Sequence, residues 1–280
     1  MKDQVEILCD MHTHSQSSHD SKARVLDVAA SCIERGVRAF AVTDHCDIGY
    51  CDSINIASIL DTSLNETLEV ARKFSDKVEV LAGVEIGEVI WNPSYATELL
   101  KGYSYDVVIG SVHAVRYKSY TQPYSTIDFT KMATEELEQY IDKYFDDLLE
   151  MVQSADCDVV AHLTCPLRYI NGKYGLGVEL SKNREKILKI LDCIIEKSLS
   201  LELNTSGLGT THNTLMPERW ILEEYKKRGG YLITIGSDAH TPEKVANGFE
   251  EAIKILKECG FDAYYYYKSR RAYRIEILVH

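Results

Sequence analysis

The sequence predicts a single α/β barrel, and three observations lead there. Short apolar segments alternate with helical ones along all 280 residues, the order expected of a parallel sheet with crossover helices. Seven such strand–helix units follow one another without a linker or internal repeat. Candidate metal-binding side chains also stand at successive strand ends, and a closed ring of strands gathers these at one mouth, where parallel barrels keep their chemistry. A doubly wound open sheet is the rival, but it would place ligands at a single crevice. One domain over residues 1–280 accommodates the pattern, a size that α/β barrels reach.

Residues 5–11 form the first predicted strand, and a helix over 22–35 stops at Gly36. The second strand spans 37–43. A polar segment then leads to a helix over 60–74 and a third strand over 78–84. Pro93 opens a short helix ahead of the fourth strand, 105–109. Residues 116–130, rich in Tyr, Ser and Thr, read as a loop before a long helix over 131–153. The fifth strand, 158–161, precedes a loop holding Pro166, Gly172, Gly175 and Gly177. A helix over 181–197 leads to the sixth strand, 200–203. Pro217 suits the first position of the next helix, where a missing N–H costs nothing. Gly229-Gly230 ends that helix before the seventh strand, 231–235. Thr241-Pro242 starts a last helix to about residue 259, with Thr241 as N-cap. Residues 263–267 and 272–278 form a terminal hairpin.

Hydrophobic residues make up 45% of the chain, enough for a large core. No stretch nears the roughly 18–20 apolar residues that a membrane span needs. The opening Met1-Lys2-Asp3-Gln4-Val5-Glu6 is charged and lacks the apolar centre of a signal peptide, so a soluble cytoplasmic protein is expected. With 43 acidic against 31 basic residues, the net charge of -12 repels a polyphosphate backbone and argues against nucleic acid. A small substrate carrying some positive charge suits that field. The basic stretch Lys268-Ser269-Arg270-Arg271 reads as a solvated turn.

Eight cysteines without a CxxC pair, in a chain too long to need staples, argue against disulfides and a zinc ribbon. Cys9, Cys157, Cys32, Cys193 and Cys259 fall in strand or helix patterns as small buried hydrophobes. Cys46, Cys51 and Cys165 flank proposed ligands and are candidates for extra ones. The run of tyrosines over 264–267 fits alternating burial in a closing strand better than base stacking.

The strongest local motif is Asp10-Met11-His12-Thr13-His14. Residues two apart in extended chain face the same way, so both imidazoles can reach one metal. An HxH pair alone also occurs by chance or as buried, hydrogen-bonded histidines. Here Ser237-Asp238-Ala239-His240 repeats the geometry at the seventh strand end, and Thr43-Asp44-His45 adds a third instance. Glu85, after Leu81-Ala82-Gly83-Val84, reads as a rim salt bridge or as a carboxylate bridging two dications roughly 3.5–4 Å apart. The surrounding histidines favour the bridge. His113 in Gly110-Ser111-Val112-His113 and His162 in Val160-Ala161-His162 follow apolar residues and read as ligands. His19 lies in the loop after the first pair. Asp10 and Asp44 read as partners that orient neighbouring imidazoles. Such donors suit zinc, iron or manganese.

These segments, with Gly83-Val84-Glu85 and Leu201-Glu202-Leu203-Asn204-Thr205-Ser206-Gly207-Leu208, resemble the polymerase and histidinol phosphatase (PHP) superfamily, and within it the histidinol-phosphate phosphatases. The likeness spans nearly the whole chain, to Tyr267-Lys268-Ser269-Arg270. It implies a distorted, TIM-like (βα)7 barrel holding up to three divalent ions (Zn, Fe or Mn). It further implies phosphomonoester hydrolysis by a hydroxide bridging the metals. By that likeness His12, His14, Glu85 and Asp238 hold a first ion; Glu85, His113 and His162 a second; His19, His45 and His240 a third. Arg168, in Cys165-Pro166-Leu167-Arg168, matches a family arginine that grips phosphate, and Asn204 and His19 are further candidate substrate contacts. One departure stands out: Gly209 follows Leu208 where the family usually has a second phosphate-binding arginine. Arg116, Arg270 and Arg271 are candidate replacements.

The chemistry is consistent with these residues taken alone. A dianionic phosphomonoester repels nucleophiles until cations neutralise its oxygens. Metal-bound water reaches a pKa near 7, and in-line attack then needs little beyond positioning. Glu85, Asp238 and His240 are the catalytic candidates, with either Asp238 or His240 available to protonate the leaving alkoxide. The expected substrate is L-histidinol phosphate of histidine biosynthesis, with another small phosphorylated metabolite or a nucleotide as the alternative. An amidohydrolase would bridge its metals through a modified lysine; no lysine ends a strand here, and Glu85 takes that place. A non-catalytic metal-binding barrel fits less well, since structural zinc sites are closed by four ligands and rich in Cys. His212, in Gly209-Thr210-Thr211-His212-Asn213, reads as a surface histidine near the mouth, and His280 as a terminal residue without a role.

Overall fold

A computed structural model describes residues 7–49 and 55–278; Cys51, His280 and the start of the first expected strand lie outside them. The first half runs β1 (Leu8–Thr13), α1 (Val25–Glu34), β2 (Val37–Val42), β3 (His45–Asp47), α2 (Ile56–Lys73), β4 (Glu79–Gly87), α3 (Pro93–Lys101) and β5 (Val107–Ser111). The second runs α4 (Thr134–Ser154), β6 (Val159–Val160), α5 (Arg184–Glu196), β7 (Ser200–Asn204), α6 (Arg219–Lys227), β8 (Ile233–Gly236) and α7 (Phe249–Glu258), then β9 (Ala263–Lys268) and β10 (Arg271–Glu276).

Strands of a parallel sheet are covered on both faces, so they read as apolar runs. β5 and β7 are buried at every position. Seven strands pair in the order β1-β2-β4-β5-β6-β7-β8. The ring closes between β1 and β8, where Thr13 bridges Ala239 and Asp238 N donates to His12 O at 2.8 Å. This is the expected (βα)7 barrel. Around it, each helix buries one stripe: α1 sets Val25, Val28, Ala29 and Cys32 against Val37, Phe40 and Val42 of β2.

The terminal hairpin β9–β10 plugs the barrel end opposite the strand C-termini. Tyr267 OH meets Ser200 Oγ at 2.9 Å, and Tyr264 OH accepts from Cys9 N at 3.2 Å. Burial falls on Tyr264 and Tyr267, three apart, and not in alternation. Its turn is no free basic patch, because Lys268 pairs with Glu79 and Arg270 with Asp156 and Asp158.

Several boundaries differ from those expected. Glu85 lies inside β4, not past its end, because the unexpected strand β3 pairs there, with His45 opposite Glu85. Pro217 is not the first residue of α6, which begins at Arg219; Met216 is held in a bridge to Asn204. The long helix after residue 130 begins only at Thr134, beyond a 3-10 turn over Phe129–Lys131. The last helix is split into a 3-10 turn, Pro242–Lys244, and α7, which is capped by Gly248 and not by Thr241. Tertiary bonds cause that split: Ala246 N donates to Asp10 Oδ2 at 3.0 Å, and Asn247 O accepts from Thr205 Oγ1 at 2.6 Å. The described cysteines are all free thiols, and no described helix is long and apolar enough to cross a membrane.

Candidate metal centre

Closure of the barrel brings the scattered histidines of the sequence around one carboxylate. Glu85, fully buried, points its Oε1 at His113 Nε2 (3.1 Å) and His162 Nε2 (2.9 Å). Its Oε2 lies 2.9 Å from His45 Nδ1, 3.3 Å from His12 Nε2 and 3.6 Å from His14 Nε2. Asp238 adds an oxygen 3.1 Å from His14 Nε2 and 3.8 Å from His12 Nε2. Asp238 adopts a left-handed backbone (φ 51), uncommon outside glycine though tolerated by Asp.

The donor set fits divalent ions. Ring nitrogens face one another at 3.1 Å (His12–His14) and 3.4 Å (His113–His162), where at most one of each pair can carry a hydrogen. Glu85 Oε2, His45 Nδ1 and His240 Nε2 are buried without a hydrogen bond despite close neighbours. Buried polar atoms are otherwise almost always satisfied. Donor atoms of His12, His14 and Asp238 lie within 4.8 Å of one another, as do those of His45, Glu85 and His113, and those of His14, His45 and His240. No cysteine enters these groups among the described residues.

The outward ring nitrogens are fixed by side chains that the sequence reading missed. His12 Nδ1 meets Glu202 Oε1 at 2.7 Å, and His113 Nδ1 meets Asp47 Oδ1 at 3.0 Å. Each carboxylate holds the Nδ1–H tautomer and so turns a lone pair on Nε2 inward. Glu202 was detectable as a carboxylate inside the apolar strand Leu201-Glu202-Leu203, since a buried charge needs a partner. Asp47 lies two residues after His45 on β3, a strand too short for periodicity to reveal.

Asp10 and Asp44, expected to orient imidazoles, touch no ring. Asp10 accepts from Ser237 N (2.9 Å), Ser237 Oγ (2.5 Å) and Ala246 N, tying β1 to the loop after β8. Asp44 takes the hydroxyls of Ser15, Ser18 and Ser63. It reaches His14 only through Ser18, whose Oγ lies 3.0 Å from His14 Nδ1. His19 is exposed, with its ring 5.3 Å from that of His45. Asp20, its neighbour, is the group that meets His45 (3.5 Å) and His240 (3.1 Å). Both residues are exposed and both line the cavity, so the turn presents the His19 ring and the Asp20 carboxylate to the same mouth.

Arg168, the candidate phosphate contact, lines a cavity with His19, Asp20, His45, His113, His162, Asp238 and His240. Its Nη1 donates to Ser206 Oγ at 3.0 Å, and Ser206 Oγ lies 3.1 Å from Asp238 Oδ2. Asn204 is not a substrate contact: it is fully buried, with Oδ1 accepting from Ser206 and Nδ2 donating to Glu202 Oε2. Arg116 lies over the Trp91 ring at 4.2 Å, and Arg270 is at the opposite barrel end. Arg271 opens β10 of the plugging hairpin. None of the three lines the cavity. His212 is half-buried against Gly172 rather than at the surface. Cys165 lines the cavity but enters none of the donor groups, and burial pushes its thiol up to about 11.

Without metal, the charge balance rests on protons. Burial opposes the charged imidazolium, yet Glu202, Glu85 and Asp238 hold His12 well above its ordinary range. Glu85 and Asp47 do the same for His45 and His113. Burial likewise opposes ionised Glu85, but His113, His12 and His45 keep its carboxyl well below the usual range. His14 is pushed down to about 3 by burial and by the neighbouring His240 and His45.

A parallel barrel with some ten imidazole and carboxylate donors at its C-terminal mouth defines a candidate multinuclear metalloenzyme. The chain belongs to the PHP domain family, whose profile matches residues 10–206. It is 29% identical over 255 residues to a probable histidinol-phosphatase of Thermotoga maritima, covering 91% of this chain and 94% of the relative. It is 27% identical over 254 residues to the histidinol-phosphatase of Lactococcus lactis, covering 90% and 91%. The fold matches the crystal structure of histidinol phosphate phosphatase from Lactococcus lactis, complexed with zinc, L-histidinol and phosphate. The TM-score is 0.79 at 23% identity, over 95% of this chain and 98% of that one.

Proposed function

We propose that this chain is a metal-dependent phosphomonoesterase of the cytoplasm that hydrolyses L-histidinol phosphate to L-histidinol and phosphate in histidine biosynthesis. One observation carries the reading: both oxygens of buried Glu85 are ringed by imidazoles, and three of these, His45, His113 and His162, line a cavity that Arg168 also faces. His12, His14, Glu85 and Asp238, then Glu85, His113 and His162, would hold two ions; His19, His45 and His240 would hold a third, with Asp20 beside His45 and His240. When bound, dications neutralise phosphoryl oxygens and lower the pKa of water. Zinc is the favoured ion, as in the Lactococcus lactis complex, with iron and manganese as alternatives.

The chain's own residues do the rest. Glu202, Asp47 and Ser18 fix the rings of His12, His113 and His14. Arg168 offers a planar fork to phosphoryl oxygens. Of the two candidates for protonating the leaving alkoxide, Asp238 is held ionised among His12, His14 and His240. His240, the other candidate, stands beside it on the cavity lining and would donate a proton only while it holds no ion. The cavity sets Asp20 and Arg168 on its lining. Such a pair suits a substrate with an anionic phosphoryl group and a cationic alcohol, as in histidinol phosphate.

Phosphate release from histidinol phosphate and a panel of other monoesters, with each metal and after chelation, tests this reading. Strong preference for histidinol phosphate is expected. Equal turnover of every ester would sink the substrate assignment, and turnover that survives chelation would sink the metal dependence.

A further inference from the structure

A second cavity, ≈ 170 Å³, opens beside the first between the loops that follow β7 and β8. Arg168, Asp238 and His240 line both, so the two meet at these side chains. The second cavity's lining also carries Thr210, Thr241 and Lys244. Lys244 closes the short turn Pro242–Lys244, which Lys244 N secures by donating to Thr241 O at 3.0 Å. Ser31 Oγ and Arg35 Nη2 anchor the same turn by donating to Pro242 O and Glu243 O. The fold thus fixes which wall Lys244 stands on.

Neither cation is neutralised by an ion pair among the described residues. Arg168 has a hydroxyl and the Tyr169 ring as partners, and Lys244 Nζ has no hydrogen-bond or ion-pair partner. Lys186, by contrast, is held by Asp142 and Asp146. Two positive charges on one cavity repel each other and are balanced when an anion enters.

We infer that Lys244 is a phosphate-positioning residue, sharing the phosphoryl group with Arg168 where the two cavities meet. This rests on the phosphatase reading. A lysine acts there as a compact point charge, with Arg168 supplying the directional fork.

The test is calorimetric titration of inorganic phosphate into zinc-loaded wild type, Lys244→Gln and Lys244→Arg, together with phosphomonoester kinetics. Metal content and circular dichroism serve as controls; Lys244 is exposed, so folding is expected to be unaffected. Lys244→Gln is expected to bind phosphate roughly tenfold more weakly, the scale of one charge-assisted hydrogen bond. KM should rise by a similar factor with a smaller change in kcat, and Lys244→Arg should recover most of the affinity. Phosphate affinity unchanged in Lys244→Gln overturns the inference, as does failure of Lys244→Arg to recover it. If the wild type binds phosphate with this dependence on Lys244 but cleaves no monoester, the phosphatase reading falls and the role of Lys244 stands.

Discussion

Glu202 Oε1 lies 2.7 Å from His12 Nδ1, while its Oε2 accepts from His162 N at 2.7 Å and from Asn204 Nδ2 at 3.1 Å. One buried carboxylate therefore sets the tautomer of a β1 histidine and holds the backbone of the histidine after β6. Glu202→Gln keeps the shape but turns an amide NH2 toward at least one of these three donors. Metal affinity should fall by roughly 10–100-fold with the fold retained. Zinc titration against a competing chelator measures it, and wild-type affinity would show that Glu202 has no orienting role.

Glu85→Ala removes the carboxylate shared by two donor groups and leaves its imidazoles without a counter-charge. The expected outcome is loss of two ions per chain by elemental analysis and no detectable phosphate release. A variant with full metal content would contradict the bridging position.

Arg168→Ala should leave metal content intact and act on substrate binding. Losing hydrogen bonds from a charged group costs about 1.5–3 kcal/mol, so kcat/KM is expected to drop roughly 10–100-fold, chiefly through KM. An effect confined to kcat would place Arg168 in the transition state alone.

The raised imidazoles give two linked pH dependences. In metal-free protein, carboxylates hold His12, His45 and His113 above the ordinary value of 6.5, so these rings carry protons near neutrality. Metal needs their lone pairs, so loading should release protons and affinity should rise with pH. Calorimetry in buffers of different ionisation enthalpy reports the proton count. A raised folded-state pKa adds stability that is complete below 6.5 and lost as pH climbs through the shifted value. The Tm of chelated protein should accordingly fall as pH is raised above neutrality, and a flat or rising Tm would refute the proton-held cluster.

Gly236 ends β8 where the chain passes close to the site. A Cβ there would collide with Glu202 Oε1 and stand 2.6 Å from His12 Cβ. Gly236→Ala should cost about 1–3 kcal/mol through this overpacking, and lower metal content by displacing Glu202. Thermal denaturation together with metal analysis tests both effects; a stable variant with full metal would show that β8 can yield there.

The ligand types and their order were legible because strand-end histidines interrupt apolar runs: His12 and His14 share one face of β1, and Glu85, His113 and His162 each follow buried aliphatic residues. The barrel was legible for the same reason, since period and spacing are local properties of the chain. Which acid stands behind each imidazole was not. Glu202 is 190 residues from His12, and Asp47 is 66 from His113. Sequence alone determined the barrel and the donor set, both written in local pattern. Only tertiary structure decided their pairing, the split of the last helix and the cavity shared by Arg168 and Lys244, because those follow from contacts made after the ring closes.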